Sequence, residues 1–334
     1  MIDYLTDMQG RAVRYLRLSL TDRCNLRCLY CCNSSQYQPC ISHPDVLRYE
    51  ELLRIVRLMS TRGIEKVRLT GGEPFARKGC TEFIGMLRAE FPHLDIRLTT
   101  NGTLIYDHIP ALARMKIGAI NLSLDTFNAE RFARITGKDA LHTVLKALEA
   151  LLSAGIRVKI NAVGLKGLND SELPEFLHLV KHEPVDVRFI EFMPMGAETC
   201  WSEDYFWSAE DILAQARSLA DIQPVPRHHA QSGPARMFTI AGSKGRLGLI
   251  TPLSNHFCGT CNRLRITPEG AVRTCLFDDK EYPLREILRN PQQGDAALMA
   301  ALEQAIQHKP VGVELLRQRG LAAVAQKNMS KIGG

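Results

Sequence analysis

Cys24, Cys28 and Cys31 lie at x3 and x2 spacing in RLSLTDRCNLRCLYCC, directly after a predicted strand. Three thiolates this close can converge on one metal centre when a single loop wraps around it. A structural zinc normally takes four ligands. Three cysteines with no obvious local fourth suit an iron–sulfur cluster with one iron left open. A zinc loop completed by Cys32, His43 or a distant side chain is the alternative. A second group, Cys258, Cys261 and Cys275, again offers three thiolates, in FCGTCNRLRITPEGAVRTCLF. A zinc ribbon would want a second C-x2-C pair, which is missing, although Cys200, His228, His229 or His256 could complete a zinc site there. Ten cysteines are many for a chain kept in a reducing compartment, so metal or redox chemistry is the better reading.

A second signal is cationic. Arg17 in LRL, Arg68 in VRL, Arg97 in IRL, Lys159 in VKI and Arg188 in VRF each place a charge between apolar neighbours of a predicted strand. Parallel strands buried on both faces should instead read as continuous apolar runs. A buried cation needs a partner, and a polyanionic substrate at the C-terminal mouth of the sheet would supply one. Such residues can also snorkel to water or pair with helix carboxylates. Arg263 and Arg265 alternate on another predicted strand and therefore share a face beside the second cysteine group. Asn121, Ser123 and Asp125 (INLSLD) and Thr99, Thr100 and Asn101 add polar groups suited to ribose hydroxyls or an amino-acid carboxylate.

These residues sit on a βα rhythm. Strands are predicted at 14–19, 66–70, 95–99, 119–124, 157–163 and 187–192, with helices around 48–62, 105–116, 139–154 and 171–181. Gly63, Gly118 and Gly155 fall just after helices, where a left-handed residue is favoured. Six such units with right-handed crossovers predict a barrel or partial barrel, with a doubly wound sheet as the alternative. Residues 197–235 read as a crossover and linker, which places the domain boundary between 235 and 236. Short runs at 236–241, 246–250, 263–267 and 271–275 suggest a small β-rich module, followed by helices at 283–289 and 295–307. The tail KNMSKIGG should be flexible unless something captures it.

Composition narrows the classes. The 334 residues are 45% hydrophobic and 23% charged, as in an ordinary globule, and no apolar run is long enough to span a bilayer. The N-terminus carries no secretory pattern, so a cytoplasmic location and no membrane partner are expected. A net charge of +6 suggests an anionic ligand more than a DNA-coating surface. A zinc-stabilised nucleic-acid binder is the rival of a different class, weakened by 7% aromatic content.

With GGEP at Gly71, Gly72, Glu73 and Pro74 after the second strand, and Tyr30 just ahead of Cys31, the triad resembles the radical S-adenosylmethionine superfamily. The pattern FC-x2-CNRLRIT with a later CL, together with EFMPMG upstream and a terminal GG, is similar to the GTP 3′,8-cyclase family within it, from Arg14 to Gly334. That resemblance implies a partial (βα)6 TIM-type barrel with a C-terminal α+β extension, and a lyase using S-adenosylmethionine and two 4Fe–4S clusters. It implies that Cys24, Cys28 and Cys31 hold one cluster and Cys258, Cys261 and Cys275 the other. It implies GTP contacts at Arg17, Arg68, Thr99, Lys159, Arg263, Leu264 and Arg265, and S-adenosylmethionine contacts at Tyr30, Gly72, Ser123 and Met193. Gly333 and Gly334 would thread into the active site and act in catalysis.

The implied reaction opens molybdenum cofactor biosynthesis. A 5′-deoxyadenosyl radical takes the ribose 3′ hydrogen of GTP, the ribose radical attacks C8 of guanine, and reduction by one electron with protonation gives 3′,8-cyclo-7,8-dihydro-GTP. An electron donor and a downstream cyclic pyranopterin monophosphate synthase would be its partners, a homodimer is compatible with it, and DNA is not expected. A peptide-modifying radical enzyme is the rival inside the superfamily, though such enzymes generally carry more C-terminal cysteines. The chain also has Cys32-Asn33 where the cyclase family usually has Met-Pro, which adds a fourth thiol to the loop.

Overall fold

A computed structural model describes residues 3–31, 40–196, 200–226, 233–319 and 325–333. Six parallel strands form its centre: β1 (Tyr15–Ser19), β2 (Lys66–Thr70), β3 (Asp95–Thr100), β4 (Ala119–Ser123), β5 (Val158–Gly164) and β6 (Asp186–Glu191). They pair in sequence order, each with the next. A doubly wound sheet would reverse direction at a switch point, so the partial barrel is the architecture present. The connecting helices are amphipathic. Tyr49–Thr61, for instance, buries Leu52, Leu53, Ile55, Val56 and Met59.

The C-terminal strands extend both edges of this sheet rather than forming one of their own. β7 (Ile222–Pro224), β8 (Arg236–Ile240) and β9 (Arg246–Ile250) continue it beyond β6, with β9 parallel to β6. β10 (Arg263–Ile266), β11 (Ala271–Arg273) and β12 (Tyr282–Pro283) continue it beyond β1, with β10 parallel to β1. The stretch read as a linker holds a further helix, Ala209–Leu219, capped by the Ser208 hydroxyl. The Ser-Ala-Glu-Asp start is a helix N-terminal signal lying beside a Pro-rich flank. The predicted helices at 283–289 and 295–307 are observed as Arg285–Arg289 and Asp295–Gln307.

Two of the three punctuating glycines behave as expected, Gly63 at φ 81° and Gly155 at φ 68°. Gly118 does not. Lys116 takes the left-handed conformation there, at φ 51°, and Gly118 is small because a Cβ would lie 2.1 Å from Asp95 Oδ1.

Strand alternation decides what faces the mouth. Leu16 and Leu18 are fully buried in the main core, so Tyr15, Arg17 and Ser19 of β1 point to the other side. Register then aligns rows across that side. Arg265, Arg17, Arg68 and Arg97 form one row. Thr99, Asn121, Lys159, Asp186 and Arg246 form the next, and Ser123, Asn161, Arg188 and Gly248 a third.

Candidate active site

The first cysteine loop leaves β1 and is pinned at several points. Leu29 N donates to Ile135 O at 2.9 Å, Arg27 N to Thr136 O at 2.8 Å, and Cys31 N to Cys28 O at 2.9 Å. Asn101 Nδ2 donates to Cys24 Sγ at 3.7 Å. Cys24 is exposed, while Cys28 and Cys31 are half-buried. Gly72 packs beneath the loop, where a Cβ would lie 2.3 Å from Arg23 O, so this backbone approach requires glycine. Glu73 is fully buried. It accepts from Thr100 Oγ1 at 2.8 Å and Asn101 N at 2.7 Å, and burial pushes its carboxyl up to about 7. Thr100 and Asn101 are therefore engaged in holding the GGEP turn.

Tyr30 donates to Asp125 Oδ2 at 2.7 Å, and Val163 N donates to Asp125 Oδ1 at 2.8 Å. Burial first, and Asp125 second, raise the Tyr30 phenol well above its ordinary range. Nearby, Asn121 Oδ1 and Asn161 Oδ1 are buried without a partner. Three loop thiols, a glycine-lined turn and two unsatisfied amide oxygens fit an iron–sulfur cluster carrying a polar amino-acid ligand.

The strand cations separate into two kinds. Arg97 is held by Asp95, with Nη2 to Oδ2 at 2.7 Å, and is structural. The others lie on the face of the sheet turned away from the main core. Arg68 is buried and donates through Nη1 to Leu98 O at 2.7 Å and Thr99 Oγ1 at 3.2 Å, and through Nε to the Tyr15 hydroxyl. Lys159 lies 3.4 Å from Asp186 Oδ2, but that carboxylate also takes Arg246 at 2.8 Å and Arg157 at 3.3 Å. Burial, then Arg188, bring the Lys159 ammonium down to about 7. Arg188 is 8% exposed, and its Nε and Nη2 have no partner. Burial brings it to about 9. Gly248 makes room for it, since a Cβ there would sit 2.8 Å from Arg188 Cγ. Charges on adjacent strands, roughly 5–7 Å apart, repel by about 2–3 kcal/mol per pair at an effective dielectric near 20. The site therefore favours a multivalent anion.

The second cysteine group closes the other side. Cys258 and Cys275 both press on Gly312, whose Cβ would lie 3.5 and 2.8 Å from their sulfurs. Cys261 is the acidic member. Burial opposes its ionisation, but Arg263 and Lys309 bring the thiol down to about 6. Lys309 is 1% exposed and donates through Nζ to Thr274 O at 2.8 Å and to Arg263 O. Arg11, paired with Asp7 at 2.7 Å, donates to Cys258 O at 2.9 Å and Lys309 O at 3.0 Å. Among the described residues no three His, Cys, Asp or Glu groups are gathered tightly enough for a single metal ion. A bridged multi-iron cluster holds its cysteines farther apart than a lone zinc does.

The tail is captured rather than loose. Ala325 bridges Met195, Lys327 Nζ reaches Glu281 at 2.7 Å and Glu269 at 2.9 Å, and Ile332 is fully buried. Gly333, at φ 72°, accepts at its carbonyl from Arg265 Nη1 at 2.7 Å and Arg17 Nη2 at 3.2 Å. Met193 packs in the small core cluster that includes Met195, Cys275, Met329 and Ile332.

Some sequence expectations land elsewhere. Leu264 is fully buried on the core side of β10, so only its main chain can face the mouth. Cys200 does not join the second group, because its thiol donates to Leu29 O at 2.7 Å beside the first loop. His43 is exposed in a short 3-10 turn. His256 lies near Arg317 and Glu191. Cys32, His228, His229 and Gly334 lie outside the described residues. Tyr15, Asn161 and Lys309 were missed. Tyr15 and Asn161 share the strand alternation that flagged Arg17 and Lys159, and could have been found that way.

Residues 18–180 match the family model of the radical SAM superfamily, and residues 185–315 match one described as Molybdenum Cofactor Synthesis C. The chain is similar to the GTP 3′,8-cyclase of Syntrophomonas wolfei, 39% identical over 332 residues, covering 99% of this chain and 100% of the relative. It is similar to that of Geobacter sulfurreducens, 39% identical over 335 residues and 99% of each chain. That of Petrotoga mobilis is 38% identical over 332 residues, 99% of this chain and 100% of the relative. Among solved structures, Streptococcus suis SuiB bound to S-adenosylmethionine shares the fold. Its TM-score is 0.63 at 15% identity, over 86% of this chain and 67% of that one.

Proposed function

This chain belongs to the GTP 3′,8-cyclase family of radical S-adenosylmethionine enzymes, and we propose that its cationic mouth holds the GTP triphosphate for 3′,8-cyclisation. The reaction is the first step of molybdenum cofactor biosynthesis. With both clusters and S-adenosylmethionine bound, the cofactors supply hydrogen-atom abstraction at the ribose 3′ carbon. The chain supplies the rest.

Arg265, Arg17 and Arg68 on the adjacent strands β10, β1 and β2, with Lys159 and Arg188 on the adjacent strands β5 and β6, hold the phosphates through charge-assisted hydrogen bonds. A fixed triphosphate turns the attack of C3′ on C8 into a problem of orientation already solved by the barrel. Arg263 bridges the substrate region and Cys261, to which it is hydrogen-bonded, so the base end of the nucleotide points toward the second cluster. Thr99 contributes its hydroxyl beside Arg68, and Leu264 only its main chain. Tyr30, Gly72, Ser123 and Met193, joined by Asn161, line the cofactor side. The tail, with Gly333 on Arg17 and Arg265, excludes water from the face where radical chemistry would otherwise be quenched. A low-potential electron donor and a downstream cyclic pyranopterin monophosphate synthase complete the scheme.

The observation that carries this reading is Arg188, buried with two guanidinium nitrogens unpartnered in a site already rich in positive charge. Anaerobic incubation with GTP, S-adenosylmethionine and reductant should yield a cyclised GTP product. Arg188→Ala should weaken GTP binding by about tenfold or more and leave cofactor affinity unchanged. Cofactor cleavage with GTP recovered intact would refute the assignment.

A further inference from the structure

Tyr15 stands in the register row next to the guanidinium row, between Arg263 and Lys66, and is the uncharged member of those three. It stands on the mouth side of β1, two residues before Arg17, and pairs in register with Lys66 of β2 and Arg263 of β10. Its hydroxyl accepts from Arg68 Nε and lies within hydrogen-bonding reach of Arg17. The Lys66 ammonium sits over its ring, 5.3 Å from the centroid. Arg188 of β6 adds its field from across the sheet. Five cations from four strands thus surround one phenol.

Two carboxylates lie on neighbouring strands: Asp95 pairs with Arg97 at 2.7 Å and more distantly with Lys66 at 3.8 Å, so it offsets part of the Lys66 charge, while Asp186 is taken up by Arg246, Arg157 and Lys159. A neutral aromatic ring would have filled this space without the oxygen.

We propose that Tyr15 is a positioning residue for the nucleotide, its phenol oxygen aligning Arg17 and Arg68 and serving as the internal anion that the triphosphate replaces. The inference rests on the reading of this mouth as the GTP site. Neutral Tyr15 orders two guanidiniums by accepting their hydrogen bonds, which helps binding. Ionised Tyr15 cancels one of the charges the triphosphate needs, which opposes it. Burial disfavours the phenolate, but Arg68, Arg17 and Arg263 outweigh it and bring the phenol down to about 7. The changeover therefore falls near neutral pH. GTP binding then takes up a proton at Tyr15, and this residue's share of the affinity falls up to tenfold per pH unit above about 7.

The test compares GTP affinity of the anaerobically prepared holoenzyme and its Tyr15→Phe variant at pH 6, 7 and 8.5 by equilibrium dialysis. Lys159 also loses charge in this interval, so the comparison between proteins matters and not the wild-type slope alone. The two curves should cross: the variant binds a few-fold more weakly at pH 6 and more tightly at pH 8.5. Replacing Tyr15 with 3,5-difluorotyrosine keeps the hydrogen-bonding oxygen and lowers its proton affinity, so the break should move to lower pH without loss of fold. Parallel curves for wild type and Tyr15→Phe, or a difluorotyrosine profile that does not move, would overturn the role of Tyr15. Absence of GTP binding by the wild type at every pH would instead overturn the reading of the site itself.

Discussion

Deleting Gly333 and Gly334 should stop cyclisation while leaving both clusters and most GTP affinity in place. Arg265 Nη1 donates to the Gly333 carbonyl at 2.7 Å, and Arg17 donates through Nη2 at 3.2 Å and more distantly through Nε at 3.4 Å. A hydrogen bond to a charged group is worth roughly 1.5–3 kcal/mol, so losing the two shorter contacts removes about 3–6 kcal/mol of orientation. If that orientation is needed mainly in the reacting geometry, turnover falls by about 10²–10⁴. The rest of the tail should stay docked, because Ile332 is fully buried and Lys327 keeps two carboxylate partners. Gly333→Ala gives a graded version, since φ is 72° and a Cβ would lie 3.1 Å from both Ser19 Cβ and Thr70 Cγ2. The assay measures cyclised product and 5′-deoxyadenosine in one anaerobic reaction, with GTP binding by dialysis alongside. Uncoupled cofactor cleavage with product below about 1% of wild type is expected. Cyclisation within threefold of the intact chain would show that these contacts orient nothing.

Four further outcomes are expected. Anaerobic iron analysis should give about eight irons per chain for two four-iron clusters. Cys24→Ala should abolish cofactor cleavage, whereas Cys275→Ala should spare some cleavage, stop GTP conversion and lower the iron toward about four. Lys309→Met leaves the Arg263 and Thr274 carbonyls without their buried donor, at a cost of about 2–5 kcal/mol, read as a lower denaturation midpoint and a loss of iron from the C-terminal group. Lys159 has its folded-state affinity for a proton depressed to about 7, so the fold holds fewer protons than the unfolded chain between there and the ordinary lysine range. Across that window its burial penalty is relieved as pH rises, and substrate-free wild type should gain stability relative to Lys159→Met between pH 6.5 and 9, as denaturant midpoints would show.

Much of this was legible in the residues. The strand cations were visible because a charge between two apolar neighbours breaks the pattern of a doubly buried strand. Arg17, Arg68, Lys159 and Arg188 share the face opposite the main core, while Arg97 is paired with Asp95 two residues away. The cysteine spacing marked both candidate cluster segments, but not that β10 lies parallel beside β1 and brings Arg263 and Arg265 against Arg17. That pairing spans some 250 residues and has no local signature. Lys309 was invisible for a similar reason: a lysine after a helix usually meets water, and only its burial against the Arg263 and Thr274 carbonyls of distant segments removes the water. Leu264 shows the limit of reading a motif residue by residue, since alternation sends its side chain into the core.

The central claim is that this mouth holds GTP with its ribose 3′ carbon presented for hydrogen abstraction. The most direct measurement is an anaerobic turnover with GTP deuterated at the 3′ position, followed by mass analysis of 5′-deoxyadenosine and of the nucleotide product. Deuterium should appear in 5′-deoxyadenosine, with a 3′,8-cyclised nucleotide formed alongside it. Unlabelled 5′-deoxyadenosine, with the deuterium retained in unchanged GTP, would contradict it.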